Sequence, residues 1–299
     1  MERVLVTGAD GQLGVALRKS TVGIDGLTFY FTDIDTLDIC DKSQMREFIQ
    51  SRHIDIIINC AAYTAVDRAE DEPDICALIN CDALRSIGEL ATETKTRVIH
   101  ISTDYVFDGN GTRPYNETDA TYPVSVYGKT KLAGEQALLS ACENAIILRT
   151  AWLYSMTGVN FVKTMLRLGT ERSTLNIVAD QYGTPTYAAD LAEVIKTILT
   201  SNRFIPGVYH YTNAGVCTWY DFAVKIFELT GIRCNVNPIT TAEYPTHATR
   251  PAYSVLDKTK IIETFNIQIP TWEDSLAKCL RVDASTGSAN GVESNVYSL

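Results

Sequence analysis

The sequence has no long apolar runs. Nothing in it approaches the roughly 20 apolar residues that cross a bilayer, so no membrane helix is expected. It is also short of positive charge. Lysine and arginine number 26 against 36 aspartates and glutamates, a formal charge of −10. That balance excludes a broad affinity for nucleic acid or anionic membranes, although a few local cations or backbone N–H groups are enough to hold one small anion. Histidine is scarce, with four residues, and none stands near a cysteine cluster. The eight cysteines are scattered without a C-x-x-C pair, which speaks against both a zinc site and a disulfide framework. Cys60 and Cys142 stand in apolar or helical contexts, where a reduced thiol packs as a small hydrophobe. No metal is expected. The opening "MERVLVTGAD" lacks the basic-then-apolar layout of a leader, so the expectation is a soluble, cytoplasmic protein.

What the sequence does have is a rhythm. Its 299 residues, 45% of them hydrophobic, are enough for one large domain or two closely joined ones. Short apolar runs rich in β-branched residues, "RVLVT" (3–7), "LTFYFT" (27–32), "DIIIN" (55–59), "RVIHIS" (97–102) and "AIILRT" (145–150), alternate with helical patterns near 42–52, 74–94 and 128–142. Strand and helix in alternation predict an α/β fold with a doubly wound parallel sheet, Rossmann-like in class. Past residue 150 the rhythm loosens, through a helix near 159–169, strands near 174–178 and 207–211, and a Pro-rich stretch over 238–251. The expected division is a dinucleotide-binding domain over 1–150, with a returning segment near 187–201. A smaller mixed α/β substrate domain covers mainly 151–281. The Ser/Gly/Asn-rich residues 282–299 are expected to form a flexible tail.

Two segments carry chemistry. "VTGADGQLG" places Gly8, Gly11 and Gly14 directly after the first strand and at the start of the first helix. Gly8 suits a tight turn, Gly11 lets the backbone approach a pyrophosphate, and Gly14 lets the helix pack closely on the sheet. The helix N-terminus then offers N–H groups to phosphate. Asp33, at the end of the second strand, stands where an acid accepts hydrogen bonds from the adenine-side ribose. No arginine follows it to hold a 2′-phosphate, so the local chemistry leans toward NADH. Ala61 and Ala62 follow the third strand, where small residues leave room for a cofactor.

The second segment is "ISTDYVFDG" (101–109), read together with "YGKTK" (127–131). Thr103 and Asp104 reach the carboxyl edge of the sheet, and Tyr127 and Lys131 lie one helical turn apart on one face. Reducing a ketone requires a hydride at carbon and a proton at oxygen. A free tyrosine, with a pKa of about 10, keeps its proton at neutral pH and needs help to release it. A neighbouring lysine ammonium stabilises the phenolate and is expected to lower that pKa. Thr103 is expected to orient the substrate oxygen.

The motifs "GADGQLG", "AAYTAVDRAE", "STDYVFDG", "VYGKTKLAGE", "RTAWLY" and "DQYGTPTY" together resemble the dTDP-4-dehydrorhamnose reductase family of the extended short-chain dehydrogenases/reductases. The likeness runs from residue 3 to about 280. It implies reduction of the C4 ketone of dTDP-4-dehydro-L-rhamnose to dTDP-L-rhamnose, with NADPH or NADH as cofactor and a dTDP-linked sugar as substrate. It also implies catalytic roles for Thr103, Tyr127 and Lys131. Cofactor contacts fall on Gly11, Gln12, Leu13, Asp33, Asp38, Ile39 and the segment Ala62, Tyr63, Thr64. Sugar contacts fall on Thr103, Asp104 and Trp152. From its chemistry, Trp152 suits stacking on a sugar ring or plugging a domain boundary equally well. Arg250 suits a substrate diphosphate or a solvated surface equally well. Two alternatives stay open: a non-catalytic, cofactor-binding regulatory relative, and a reductase or epimerase of another nucleotide sugar. A homodimer is compatible with the sequence, which does not specify an oligomeric state.

Overall fold

The structure is a computed structural model that describes residues 1–286 apart from residue 202, with backbone alone for 282–286. Along the chain come β1 (Glu2–Thr7), α1 (Gln12–Ser20), β2 (Leu27–Thr32), α2 (Lys42–Arg52) and β3 (Ile56–Asn59). Then follow α3 (Pro73–Ala77), a π-helical turn (Leu78–Asp82), α4 (Ala83–Thr94), β4 (Arg97–Thr103), α5 (Val126–Ala141) and β5 (Ala145–Thr150). The second half opens with β6 (Leu153–Tyr154), α6 (Phe161–Glu171), β7 (Thr174–Val178), β8 (Tyr182–Gly183), β9 (Thr186–Tyr187) and α7 (Ala188–Thr200). It closes with β10 (Gly207–His210), β11 (Cys217–Thr218), α8 (Trp219–Thr230), β12 (Asn235–Ile239), α9 (Thr259–Phe265) and α10 (Trp272–Thr286).

Six of these strands form one parallel sheet in the order β10-β5-β4-β3-β1-β2. Successive side chains on a strand point to opposite faces, and here both faces are covered. Val4, Val6, Ile56, Ile58, Ile99, Ile146 and Leu148 pack under α1, α7 and α9. Leu5, Ile57, Val98 and Ile147 pack under α2, α4 and α5. This is why the strands read as unbroken apolar runs and not as alternating ones. The expected doubly wound α/β architecture is present. The order reverses between β1 and β3, so the connections leaving their carboxyl ends diverge and open a crevice there.

The two-stranded pairs β12-β7, β11-β8 and β6-β9 stand apart from the large sheet. They surround a separate apolar core that includes Tyr154, Met165, Tyr187, Phe222, Ile226, Phe227 and Trp272. The chain passes between this core and the large sheet more than once, because α7 packs on α1 and β10 extends the sheet beside β5. The backbone of α10 is helical to residue 286, and residues 287–299, where most of the expected tail falls, lie outside the described part. The loop between β4 and α5 is anchored to the rest of the fold. Phe107 and Tyr115 stack at 4.3 Å and pack with Leu256, while Tyr115 exchanges backbone hydrogen bonds with Val255 and Asp257. Apolar residues inside the loop fix it to the second half of the chain.

Candidate active site

The glycine turn sits at the point where the strand order reverses. Gly8 has φ +64°, and a Cβ there would stand 2.6 Å from the backbone nitrogen of Ala61, so the turn lies against the end of β3. Gly14 serves a different neighbour from the one expected. A Cβ on it would meet Ala9 Cα and Gly8 O at 2.5 Å, so it lets α1 fold back on the turn itself and not on the sheet. Gly11 caps α1 without any side-chain hydrogen bond, which leaves the first N–H groups of the helix for an anion. A cradle closed to any Cβ, ending in an uncapped helix N-terminus, fits a dinucleotide pyrophosphate.

The other expected cofactor residues divide into two kinds. Asp33 accepts hydrogen bonds from the backbone N–H groups of Asp10 and Ile34, both at 2.9 Å, which fixes its carboxylate beside the turn. Asp38 accepts from Cys40 N at 2.9 Å and Tyr63 OH donates to Glu72 at 2.5 Å, while Thr64 is exposed. Ala62 is half-buried just past β3. By contrast, the side chains of Leu13 and Ile39 belong to the two apolar layers of the sheet, so only their backbones are left to face a ligand. The Gln12 side chain crosses to the second half of the chain, where it donates to Leu153 O and accepts from Ser155 and Asn160.

Thr103, Asp104, Tyr127 and Lys131 meet at the carboxyl end of β4. Ser125 caps α5 through the N–H of Gly128, and Gly128 lies so close to Tyr105 O that a Cβ would stand 2.3 Å from it. This seats the first turn of α5, with Tyr127, directly on the β4 end. The Tyr127 ring is buried edge-on to Tyr105 at 5.5 Å. Burial holds Tyr127 above the usual phenol range, and the neighbouring Thr103 hydroxyl partly offsets this. Lys131 lies one turn further along α5 and is buried; its Nζ donates to Ile101 O at 2.7 Å and lies 3.2 Å from His100 Nε2.

Asp104 is 3% exposed, and its Oδ1 accepts the Thr103 hydroxyl at 3.0 Å. Its Oδ2 is buried without a partner, and burial raises the carboxyl pKa to about 6. An orphaned buried oxygen of this kind suits a ligand hydroxyl.

On the substrate side, Trp152 adopts φ +48°, and one face of its indole is stacked on Trp219 at 3.5 Å. Gly183 presses on the ring as well, and a Cβ there would meet Cε2 and Cζ2 at 2.6 Å. The ring packs on the smaller core, and the face covered by Trp219 is not open to a sugar. Arg250 lies beside the site, with its guanidinium donating to Tyr105 OH at 3.2 Å and ion-paired with Asp67.

Sequence reasoning missed Asn80. It sits on the π-helical turn after α3, where its amide accepts from Tyr63 N and donates to Tyr63 O, so it holds the chain just past β3 in place. Gly134 of α5 packs on its backbone, where a Cβ would stand 1.9 Å from Asn80 O. The only signal in the sequence is a polar residue within the apolar pattern "CALINCDAL". Asn59 and His100, both at 0% exposure beneath the site, were missed for the same reason.

The model of the family described as RmlD substrate binding domain matches residues 1–284. A dTDP-4-dehydrorhamnose reductase from Aggregatibacter actinomycetemcomitans is 43% identical over 92% of this chain and 97% of its own. One from Escherichia coli K12 is 40% identical over 93% and 96%. A crystal structure of a dTDP-4-dehydrorhamnose reductase from Clostridium acetobutylicum superposes with a TM-score of 0.90 at 40% identity, covering 94% of this chain and 99% of the other. The Bacillus anthracis reductase in complex with NADP matches to the same extent. A dTDP-glucose 4,6-dehydratase at 16% identity and TM-score 0.80 shares the fold. With a cofactor cradle, a threonine–tyrosine–lysine site and relatives that span nearly its whole length, the chain belongs to the RmlD family of dTDP-4-dehydrorhamnose reductases.

Proposed function

We propose that this chain is an NADPH- or NADH-dependent reductase that converts the C4 ketone of dTDP-4-dehydro-L-rhamnose to the alcohol of dTDP-L-rhamnose. The observation that carries the proposal is the meeting of Thr103, Tyr127 and Lys131 at the end of β4, beside the cradle of Gly8 and Ala61. When bound, the reduced nicotinamide supplies the hydride. The uncapped start of α1 would hold its pyrophosphate, and Asp33 its adenine-side ribose.

The chain's own residues manage the proton. Tyr127, kept protonated by burial, donates its phenolic hydrogen to the carbonyl oxygen as negative charge develops there. Thr103 hydrogen-bonds the same oxygen and orients the carbonyl. The unpartnered Oδ2 of Asp104 accepts from a sugar hydroxyl. Arg250, already at the mouth, is the cation for the diphosphate, provided it exchanges Asp67 for phosphate. The reading implies a cytoplasmic protein; no described helix is long and apolar enough to cross a membrane.

The test is loss of reduced-nicotinamide absorbance with dTDP-4-dehydrorhamnose, with each cofactor in turn. Consumption that yields dTDP-rhamnose supports the reading. Binding of both cofactors without consumption would overturn it in favour of a regulatory relative or another sugar.

A further inference from the structure

The sequence sets no arginine directly after Asp33 to hold a 2′-phosphate, but the fold brings one from α1. Phe31 packs on the side of the sheet that α1 covers, and Asp33, two positions on, faces the turn that opens α1. Arg18 stands in the last turn of α1, and helix side chains tilt toward the N-terminus, so this one reaches back along the helix. Its guanidinium lies over the Phe31 ring, with Cζ 4.5 Å from the ring centre, and its Nη2 stands 3.6 Å from Asp10 Oδ1. Asp10 in turn gives its backbone N–H to Asp33 Oδ2 at 2.9 Å. One cation and two carboxylates therefore gather at the place assigned to the adenine-side ribose.

The contacts that hold Arg18 are ones it can exchange. The two side chains of the pair are 51% and 74% exposed, and an exposed ion pair at this distance is a weak one. Phe31 takes the flat face of the guanidinium, whereas its N–H donors lie along the edge, in the plane. A ribose hydroxyl is neutral and donates to a carboxylate. A 2′-phosphate instead brings about one and a half to two negative charges beside Asp33 and Asp10. Without a cation that arrangement is repulsive, and the planar fork of an arginine matches phosphate oxygens.

We propose that the Asp10–Arg18 pair sets the choice between NADH and NADPH: Arg18 turns its guanidinium edge from Asp10 to a 2′-phosphate, and Asp10 opposes this by competing for the guanidinium and by its own charge. The proposal rests on the reading of the Gly8–Gly14 turn as a dinucleotide cradle and adds two residues to it. A purely structural Arg18 would complement the carboxyl end of α1 and cover Phe31. That role leaves NAD+ and NADP+ affected alike.

The test is calorimetric titration of NAD+ and of NADP+, without sugar, into wild type, Arg18→Gln, Arg18→Lys and Asp10→Asn. Arg18→Gln is expected to weaken NADP+ by about tenfold and NAD+ by less than about twofold. Arg18→Lys, which keeps the charge and loses the fork, is expected to recover part of the NADP+ affinity. Asp10→Asn is expected to strengthen NADP+ by about threefold to tenfold and leave NAD+ near wild type. Added salt is expected to weaken NADP+ more steeply than NAD+ in wild type, and Arg18→Gln to remove most of that difference. Equal losses of both dinucleotides in Arg18→Gln, or unchanged NADP+ binding there, would overturn the proposal. So would an Asp10→Asn variant that binds NADP+ no better than wild type. Wild-type protein that binds neither dinucleotide would refute the cradle itself, whereas binding of both with Arg18 indifferent refutes this proposal alone.

Discussion

Arg149 of β5 grips Glu135 of α5 with two parallel bonds, Nε to Oε1 at 2.9 Å and Nη2 to Oε2 at 2.6 Å, and the two side chains are only 5% and 2% exposed. This pair fastens α5 to the sheet one helical turn beyond Lys131, so it carries part of the site's rigidity as well as its charge balance. Removing one partner strands a buried charge, and that is costlier than the pair itself is stabilising. Glu135→Ala is expected to lower unfolding free energy by about 3–5 kcal/mol, measured by denaturant titration. Replacing both residues with apolar ones of similar volume is expected to cost clearly less than Glu135→Ala alone. A double variant less stable than that single one would mean the pair is net stabilising beyond its burial.

Tyr127→Phe removes the one hydroxyl placed to protonate the carbonyl while keeping the ring that packs on Tyr105. Turnover is expected to fall by about 10²–10⁴, the usual range for a lost general acid. Cofactor affinity, followed by fluorescence quenching, is expected to stay near wild type. Turnover at the wild-type level would move the proton donor elsewhere.

Asp104 gives a pH-dependent prediction of known sign. Its folded pKa, about 6, lies above the unfolded value of 3.8, so between these values the folded state binds more protons. Stability attributable to this group is therefore full below about pH 4 and lost as pH rises through about 6. Its burial as a carboxylate costs on the order of 3 kcal/mol at pH 8. Asp104→Asn is expected to be more stable than wild type at pH 8, with the difference shrinking toward pH 4, and to bind the sugar more weakly. Equal denaturation midpoints at both pH values would refute the assigned burial cost.

Asp33 anchors the turn through Asp10 N and Ile34 N, and its proposed ligand is the adenine-side ribose. Asp33→Ala is expected to weaken NADH by about 1.5–3 kcal/mol, the range for a hydrogen bond to a charged group, and NADPH by less. Titration of each cofactor separates the two cases. Equal losses would confine Asp33 to holding the turn.

The sequence by itself determined the class of fold, the cofactor turn and the tyrosine–lysine pair, because each depends on spacing. Apolar runs such as "IIIN" and "VIHI" have to be covered on both faces, and Tyr127 and Lys131 share a helix face whatever surrounds them. Only the tertiary structure decided which of these side chains are free to act. Trp152 suited a sugar ring or a domain boundary equally well in sequence, and Trp219, 67 positions later, covers one of its faces. Lys131 read as the cation beside Tyr127, and its Nζ also meets His100 and Ile101 of β4. Asn59, Asn80 and His100 were invisible for a common reason. A buried polar residue is explained only by the partners that satisfy it, and these lie on other strands and helices, brought near by folding and not by spacing.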